Sequence, residues 1–222
     1  MDPVDSIEWK TAPTSEQQVA DTLRTAILDG KLPVGEFLSQ RKLAGLADSS
    51  VISVRGALRQ LENEGLIENV PRMGVRIPVE TPSAVRDRYL VRKSLETTAI
   101  EHICGKLPQE TAHRLMEIAH ELDKLAASHT AETYPEFARL HQDFHLMIAE
   151  STGSPLLAQM LKRVINPSLM LLNAARSWKR PSELHQNHTL LVEAIISGDP
   201  GKAVQAIQNH IQIGLESELA TL

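Results

Sequence analysis

From residue 81 onward, Gly and Pro divide the chain into pieces that are all the length of a helix. The breaks fall at Gly105 to Pro108, Gly153 to Pro155, Arg180-Pro181 and Gly198 to Pro200. Pro opens or stops a helix and Gly closes one. The apolar patterns between them read as helices near 83–104, 108–128, 132–151, 155–174, 182–197 and 200–219. Six helices with short connections can bury their apolar stripes only against one another, which predicts an antiparallel bundle of six to seven helices. Aromatic residues are only 3% of the chain. The core must therefore come from Leu, Ile, Val, Ala and Met, which suit helix-on-helix packing.

The first 80 residues have a different rhythm. Residues 1–13, with Pro3 and Pro13, lack periodicity and read as a flexible arm. Thr14 and Gln17 form a possible capping box before a helix with Val19, Leu23, Ala26 and Ile27 on one face. Gly30 stops it. Ser39 can cap a short helix with Leu43, Leu46 and Ala47 inward, and Ser50 can cap a third with Val54, Ala57, Leu58 and Leu61 inward. Two short β-type runs follow, Leu66 to Val70 and Val75 to Val79, joined by Pro71-Arg72-Met73-Gly74. Three helices and a hairpin predict a winged helix-turn-helix over 14–79. An all-helical domain over 80–222 follows it, with the hinge near 79–83. The fold class is mainly α.

Net charge is −5 over 222 residues, which excludes a nonspecific nucleic-acid coat but not a local basic face. One cysteine, Cys104, excludes a disulfide framework and a cysteine-based zinc finger. No signal-type segment and no 18-residue apolar run is found, so a soluble, cytoplasmic protein with no membrane partner is expected.

In a helix-turn-helix the N-terminal end of the recognition helix faces the bases while phosphate contacts fix its register. That helix begins at Ser50. Arg55 and Arg59, four residues apart, share a face. Arg41 and Lys42 open the preceding helix, and Arg72 and Arg76 flank Gly74 on the hairpin. Residues 40–77 hold six Lys/Arg against four Asp/Glu, and charge alone leaves DNA binding and an ordinary solvated helix equally open.

Of nine histidines, five (His102, His113, His120, His129, His185) show no pattern and read as surface or helix-edge residues. His141 and His145 are i, i+4 and leave one helix face, and His188 and His210 lie on two later helices. Four imidazoles on three helices could meet at one divalent ion, Zn, Ni, Cu or Fe by donor type; a structural role for each is the competing reading.

The stretch from Leu23 to Pro78 resembles the N-terminal domain of the GntR superfamily of transcription regulators. The resemblance rests on the Gly30-Lys31-Leu32-Pro33-Val34-Gly35 turn, the Leu43-Ala44 pair and Ser50 with Val54-Arg55 and Ala57-Leu58. The Leu61-Glu62-Asn63-Glu64-Gly65-Leu66-Ile67 run and the wing glycine Gly74 complete it. It implies Arg41 and Arg55 as DNA contacts, with the wing near Arg72 to Gly74 touching the minor groove or backbone. Two departures stand out. Val51-Ile52-Ser53 replaces the family's Arg-Thr-Pro, and Val51 could meet a thymine methyl instead. Gly56 replaces a glutamate, weakening the helix by ~1 kcal/mol relative to alanine.

Residues 83–219 resemble the FCD-type ligand-binding domain of the FadR subfamily, through "VRKSLETTAIE", "LHQDFHLMIAESTGS" and "HTLLVEAIISGDPGKAVQAIQNHI". The family's metal site is an Asp-x-x-x-His helix plus two later histidines. By resemblance His145, His188 and His210 are ligands, and His141 stands at the aspartate position. A neutral ligand there shifts preference toward Zn, with Ni second; whether His141 ligates stays open. Gly153-Ser154 replaces a Gly-Asn pair. Arg92 matches an arginine that binds the effector carboxylate, with an i, i+4 salt bridge to Glu96 as the equal alternative.

The resemblance implies a DNA-binding transcription regulator, a repressor, not an enzyme. It would act as a homodimer on double-stranded operator DNA, controlled by a small organic-acid effector at the metal. The rivals are a metal-dependent helical-bundle enzyme and a partner-binding module without DNA binding. A ferritin-like site needs a Glu-x-x-His motif on each of two helices, and Glu117 to His120 shares its helix with Glu110 to His113 and lies on a different one from the His141 pair. Gln142 stands where a zincin needs its glutamate.

Overall fold

The structure, a computed structural model, describes residues 15–128, 130, 132–165, 187–220 and 222. The expected arm at 1–13, Thr14 of the expected capping box, His129 and His185 lie outside the described residues. So do the end of the helix expected to reach 174 and the start of the one expected at 182. The chain divides into two compact units, residues 1–79 and 80–222.

In the first unit α1 spans Ser15–Leu28, β1 Phe37–Leu38 and α2 Gln40–Leu46. Then come α3 at Val51–Asn63, β2 at Glu68–Val70 and β3 at Gly74–Arg76. Ser39 and Ser50 start α2 and α3, their hydroxyls accepting from the backbone N–H of Lys42 and Ser53. The three-residue offset is the N-cap geometry that Ser favours. Val54, Ala57, Leu58 and Leu61 of α3 are buried with Val19, Leu23 and Ile27 of α1. On α2 the inward residues are Leu43 and Ala44 rather than the expected Leu43, Leu46 and Ala47: Leu46 is 56% exposed and Ala47 is only half-buried. A seven-residue helix presents barely two turns, so its burial follows where α3 lies rather than a sustained period.

The sheet has three strands, ordered β1-β3-β2, where the sequence suggested two. Phe37–Leu38 pairs antiparallel with Val75 and Arg76. A two-residue strand carries no readable alternation and becomes visible only once β3 offers it an edge. Gly74 has φ +109°, and a Cβ there would sit 3.0 Å from the Leu38 carbonyl oxygen. Only glycine lets the hairpin close against β1.

In the second unit α4 spans Pro82–Ile103, α5 Gln109–Ser128 and α6 Tyr134–Glu150. Next are α7 at Pro155–Val164, α8 at His188–Ile196 and α9 at Pro200–Leu219. Three of these open on one device: Thr81, Ser154 and Asp199 each cap a helix whose first residue is Pro. Proline's missing N–H costs nothing at that position. Helix α4 packs on α9, α7 and α6, while α5 packs on α6 and α8. The core holds Val85, Ile100, Leu115, Leu122, Phe144, Ile148, Leu191, Ile195 and Ile207. Within that apolar packing sit buried Arg92, Glu96, His141, His145, His188 and His210. No helix among the described residues is long and apolar enough to cross a membrane.

Candidate metal centre and nucleic-acid interface

His141 and His145 project from one face of α6, His188 is the first residue of α8, and His210 lies midway along α9. All four are buried, and one ring nitrogen of each lies within 4.8 Å of the others. His145 Nε2 is 3.1 Å from His141 Nε2 and 3.2 Å from His210 Nε2. Phe144 packs edge-on against His145 and His188, and Phe137 stacks on His141. The cluster therefore has an apolar wall.

Two carboxylates orient the rings. Asp123 of α5 accepts from His188 Nδ1 at 2.8 Å, from the backbone N–H of His188 and Thr189 at 2.9 and 3.0 Å, and from the Thr189 hydroxyl at 2.6 Å. Glu96 Oε2 lies 2.5 Å from His145 Nδ1, while its Oε1 accepts from Arg92 Nε at 2.5 Å. A carboxylate accepts only, so both Nδ1 atoms carry the proton and both Nε2 atoms keep a lone pair. Nε2 of His188 is buried and, among the described residues, has no hydrogen-bond partner. An orphaned buried lone pair is costly in apolar surroundings; beside three other imidazoles it fits a metal ligand, with carboxylate–His pairs behind it in the manner of metal sites.

Burial lowers the histidine pKa values. His145 and His210 are pushed well below 6.5, first by desolvation and then by repulsion from neighbouring imidazoles and Arg92. Desolvation also lowers His188, against the opposing pull of Asp123. For Asp123 burial works upward, but the His188 and Thr189 hydrogen bonds win and bring it to about 2. These three rings are thus held neutral, the form that binds metal.

Arg92 realises its expected ion pair with Glu96, and Nη2 also lies 2.9 Å from His145 Nε2. The pairing and a place at the cluster coexist. Asp123 and the second oxygen of Glu96 escaped the sequence reading because they meet histidines 65 and 49 residues away. His102, His113 and His120 are exposed, as is Glu117, whose carboxylate pairs with His113. The Glu117–His120 motif therefore joins no buried cluster.

In the winged unit Arg41, Lys42, Arg55, Arg59 and Arg72 are all exposed. Arg55 and Arg59 line one groove with Gln40, Glu62 and Asn69. Arg76 is instead paired with Glu68 and stacked over Phe37. Three of the four acids that balanced the sequence count, Glu62, Glu64 and Glu68, have partners within the unit. Glu64 holds Arg24 at 2.6 Å, and Glu62 accepts from the Asn69 N–H. Ser50 is committed to its cap, and its hydroxyl also contacts that of Ser53. Gly56 faces α1: the Glu16 carboxylate lies where a Cβ would stand, 2.2 Å away at its nearest.

Residues 15–77 match the family described as bacterial regulatory proteins, gntR family, and residues 87–213 match the FCD domain. The chain is 30% identical over 233 aligned residues to the HTH-type transcriptional regulator Mce2R of Mycobacterium tuberculosis, covering 93% of this chain and 92% of that protein. It is 25% identical to the HTH-type transcriptional repressor GlaR of Escherichia coli, covering 85% and 89%. It is 27% identical to the gluconate operon transcriptional repressor of Bacillus licheniformis, covering 91% and 84%. Among solved structures, Escherichia coli McbR/YncC aligns with a TM-score of 0.67 at 20% identity, over 94% of this chain and 99% of that one, a likeness of fold.

Proposed function

The chain belongs to the GntR family of bacterial regulatory proteins, with an FCD domain behind its winged helix, and from that premise we propose a ligand-controlled repressor. It is a DNA-binding transcription regulator; the family and its relatives are regulators, not enzymes. In this reading His141, His145, His188 and His210 hold one divalent ion, zinc by preference and nickel second. A small carboxylate-bearing effector binds beside it and sets operator affinity.

The observation that carries this reading is the buried four-imidazole cluster in which His188 Nε2 has no hydrogen-bond partner among the described residues. Imidazole nitrogens suit borderline metals. Four neutral ligands also leave a dication uncompensated in its first shell, which favours an anion as the remaining partner. Bound there, the ion supplies a Lewis-acidic centre for an anion's oxygens. Arg92, held at the cluster by Glu96, supplies charge-assisted donors to the same anion. One relative represses an operon named for gluconate, a hydroxy acid, which agrees in chemistry.

At the other unit Arg55 and Arg59 face the major groove from α3, Arg41 and Lys42 reach phosphates from α2, and Arg72 and Gly74 form the wing contact. Two copies related by a twofold axis read two half-sites. An effector changes operator affinity only by its difference in affinity for two arrangements of the winged units, and the segment at 79–83 is where the chain can take both.

The test is metal content together with DNA binding. Purified protein reconstituted with zinc should retain one ion per chain after dialysis, and His188→Ala should retain none. A duplex from the region upstream of its own gene should be bound specifically against an unrelated competitor at fixed salt. Unchanged metal content in His188→Ala removes the site; absence of any specific shift removes the operator reading.

A further inference from the structure

Arg88, two turns into α4, is nearly enclosed, and it is claimed by two carboxylates. Its Nη2 donates to Glu80 Oε1 at 2.7 Å and to Glu218 Oε1 at 2.5 Å; Nε reaches Glu80 Oε1 at 3.2 Å and Nη1 reaches Glu218 Oε2 at 3.3 Å. The three side chains are at most 13% exposed. Glu80 is the first residue of the helical unit, directly after Val79. Glu218 lies in the last turn of α9, the helix that carries His210.

The same face of α4 leads to the histidine cluster. Arg92 is one turn beyond Arg88, and the Tyr89 ring lies 5.5 Å from one guanidinium and 5.4 Å from the other. Tyr89 also shares a hydrogen bond with Glu218. Arg92 continues to Glu96 and His145. A continuous run of side-chain contacts therefore joins Glu80 to the imidazoles through Arg88, Tyr89 and Arg92.

We infer that Arg88 is a releasable latch: it fixes the segment leading to the winged unit through Glu80, and the histidine cluster controls its release. The inference rests on the cluster being the metal and effector site. Its physical basis is the count of charges. A buried guanidinium with one carboxylate cannot open, because release strands a buried cation. With two, Arg88 keeps Glu218 when Glu80 turns to water, so two discrete arrangements exist. An ion held by the His145 Nε2 lone pair would displace the Arg92 Nη2 that lies 2.9 Å from it, which moves the guanidinium beside Tyr89, and Tyr89 touches both Arg88 and Glu218. Contact alone does not establish coupling; a two-state element that both ends bias does.

The test uses the full chain, zinc as the probe, and Glu80→Gln. That variant loses the latch's anionic arm and leaves the cluster, Arg88 and Glu218 in place. In the wild type, zinc should change affinity for the upstream duplex by about fivefold or more, the usual lower range of coupling. In Glu80→Gln the ratio should fall to within twofold of one, with zinc content unchanged. A second readout needs no DNA: zinc should alter hydrogen exchange at amides 79–84 in the wild type and not in the variant. Zinc effects of equal size in both proteins overturn the latch and leave the regulatory reading standing. No zinc effect on either readout in the wild type overturns the cluster as a control site, and the latch with it.

Discussion

The two units hold their cations in opposite ways. In the winged unit Arg41, Lys42, Arg55, Arg59 and Arg72 stand in solvent, and Glu64, Glu68 and Glu62 nearby are occupied with Arg24, Arg76 and a backbone N–H. In the helical unit Arg88 and Arg92 are enclosed and answered by Glu80, Glu218 and Glu96. The histidines divide as sharply: residues 1–79 contain none, and four of the nine lie buried in one cluster of the other unit. A surface that meets phosphates keeps its charges hydrated until the partner arrives. A site that meets a small ion or acid prepares its charges inside the fold, where each must already be compensated.

The largest expected effect of this division is on acid stability. His145, His188 and His210 are depressed below 6.5 in the folded chain. The unfolded chain therefore binds more protons below that pH, and stability is lost as pH falls from 6.5. Each histidine contributes at most about 1.4 kcal/mol per pH unit, about 4 kcal/mol for the three. Hydrogen exchange of metal-stripped protein, corrected for intrinsic rates, should show α6, α8 and α9 losing protection between pH 6.5 and 5.5 while α1 and α3 keep theirs. Parallel loss in both units would break the comparison.

On the reading side, Arg55→Ala should weaken specific operator binding by about 1–3 kcal/mol and leave unfolding unchanged. Arg24→Ala is its counterpart: that arginine is tied to Glu64 and Asp21, so its loss should touch stability and leave operator affinity within twofold. Fluorescence anisotropy on one duplex at one salt concentration measures both. On the sensing side, Asp123→Asn keeps shape but loses the charge behind His188, and zinc affinity should fall about 10–100-fold by competition titration. Unchanged affinity would reduce Asp123 to a helix cap.

These pairs also mark what the sequence could disclose. Ser39, Ser50 and the Pro-opened helices are local signals, complete within four residues, and they placed most elements. His141 and His145 share a helix face by arithmetic, His188 and His210 stand out as histidines of two later helices, and resemblance favours a ligand role over a structural one. Asp123 could not be read, because its partners lie 65 and 66 residues away and nothing near it is periodic. Glu96 was visible as an i+4 partner of Arg92, while its second oxygen, on His145, was not. Phe37–Leu38 and the outward Leu46 failed for the opposite reason: both are too short or too marginal for a period, and the neighbouring element decides them.

The smallest effect concerns the apolar start of the recognition helix. Val51 and Ile52 occupy the first two positions of α3, and Ile52 is 78% exposed, while Arg55 stands one turn on. The first turn of a recognition helix faces base edges, and the apolar feature of the major groove is the thymine methyl. Duplexes selected from a random pool by the wild type should therefore carry a thymine at a fixed place in each half-site. Replacing it with deoxyuridine removes one methyl and nothing else, and should cost about 0.8 kcal/mol, nearly fourfold. Ile52→Ser should bind both duplexes equally. A selected site whose uracil form binds as tightly as its thymine form would show that the exposed isoleucine does not read bases. Specificity would then rest on the arginines alone, and the contrast between the two units would be one of charge throughout.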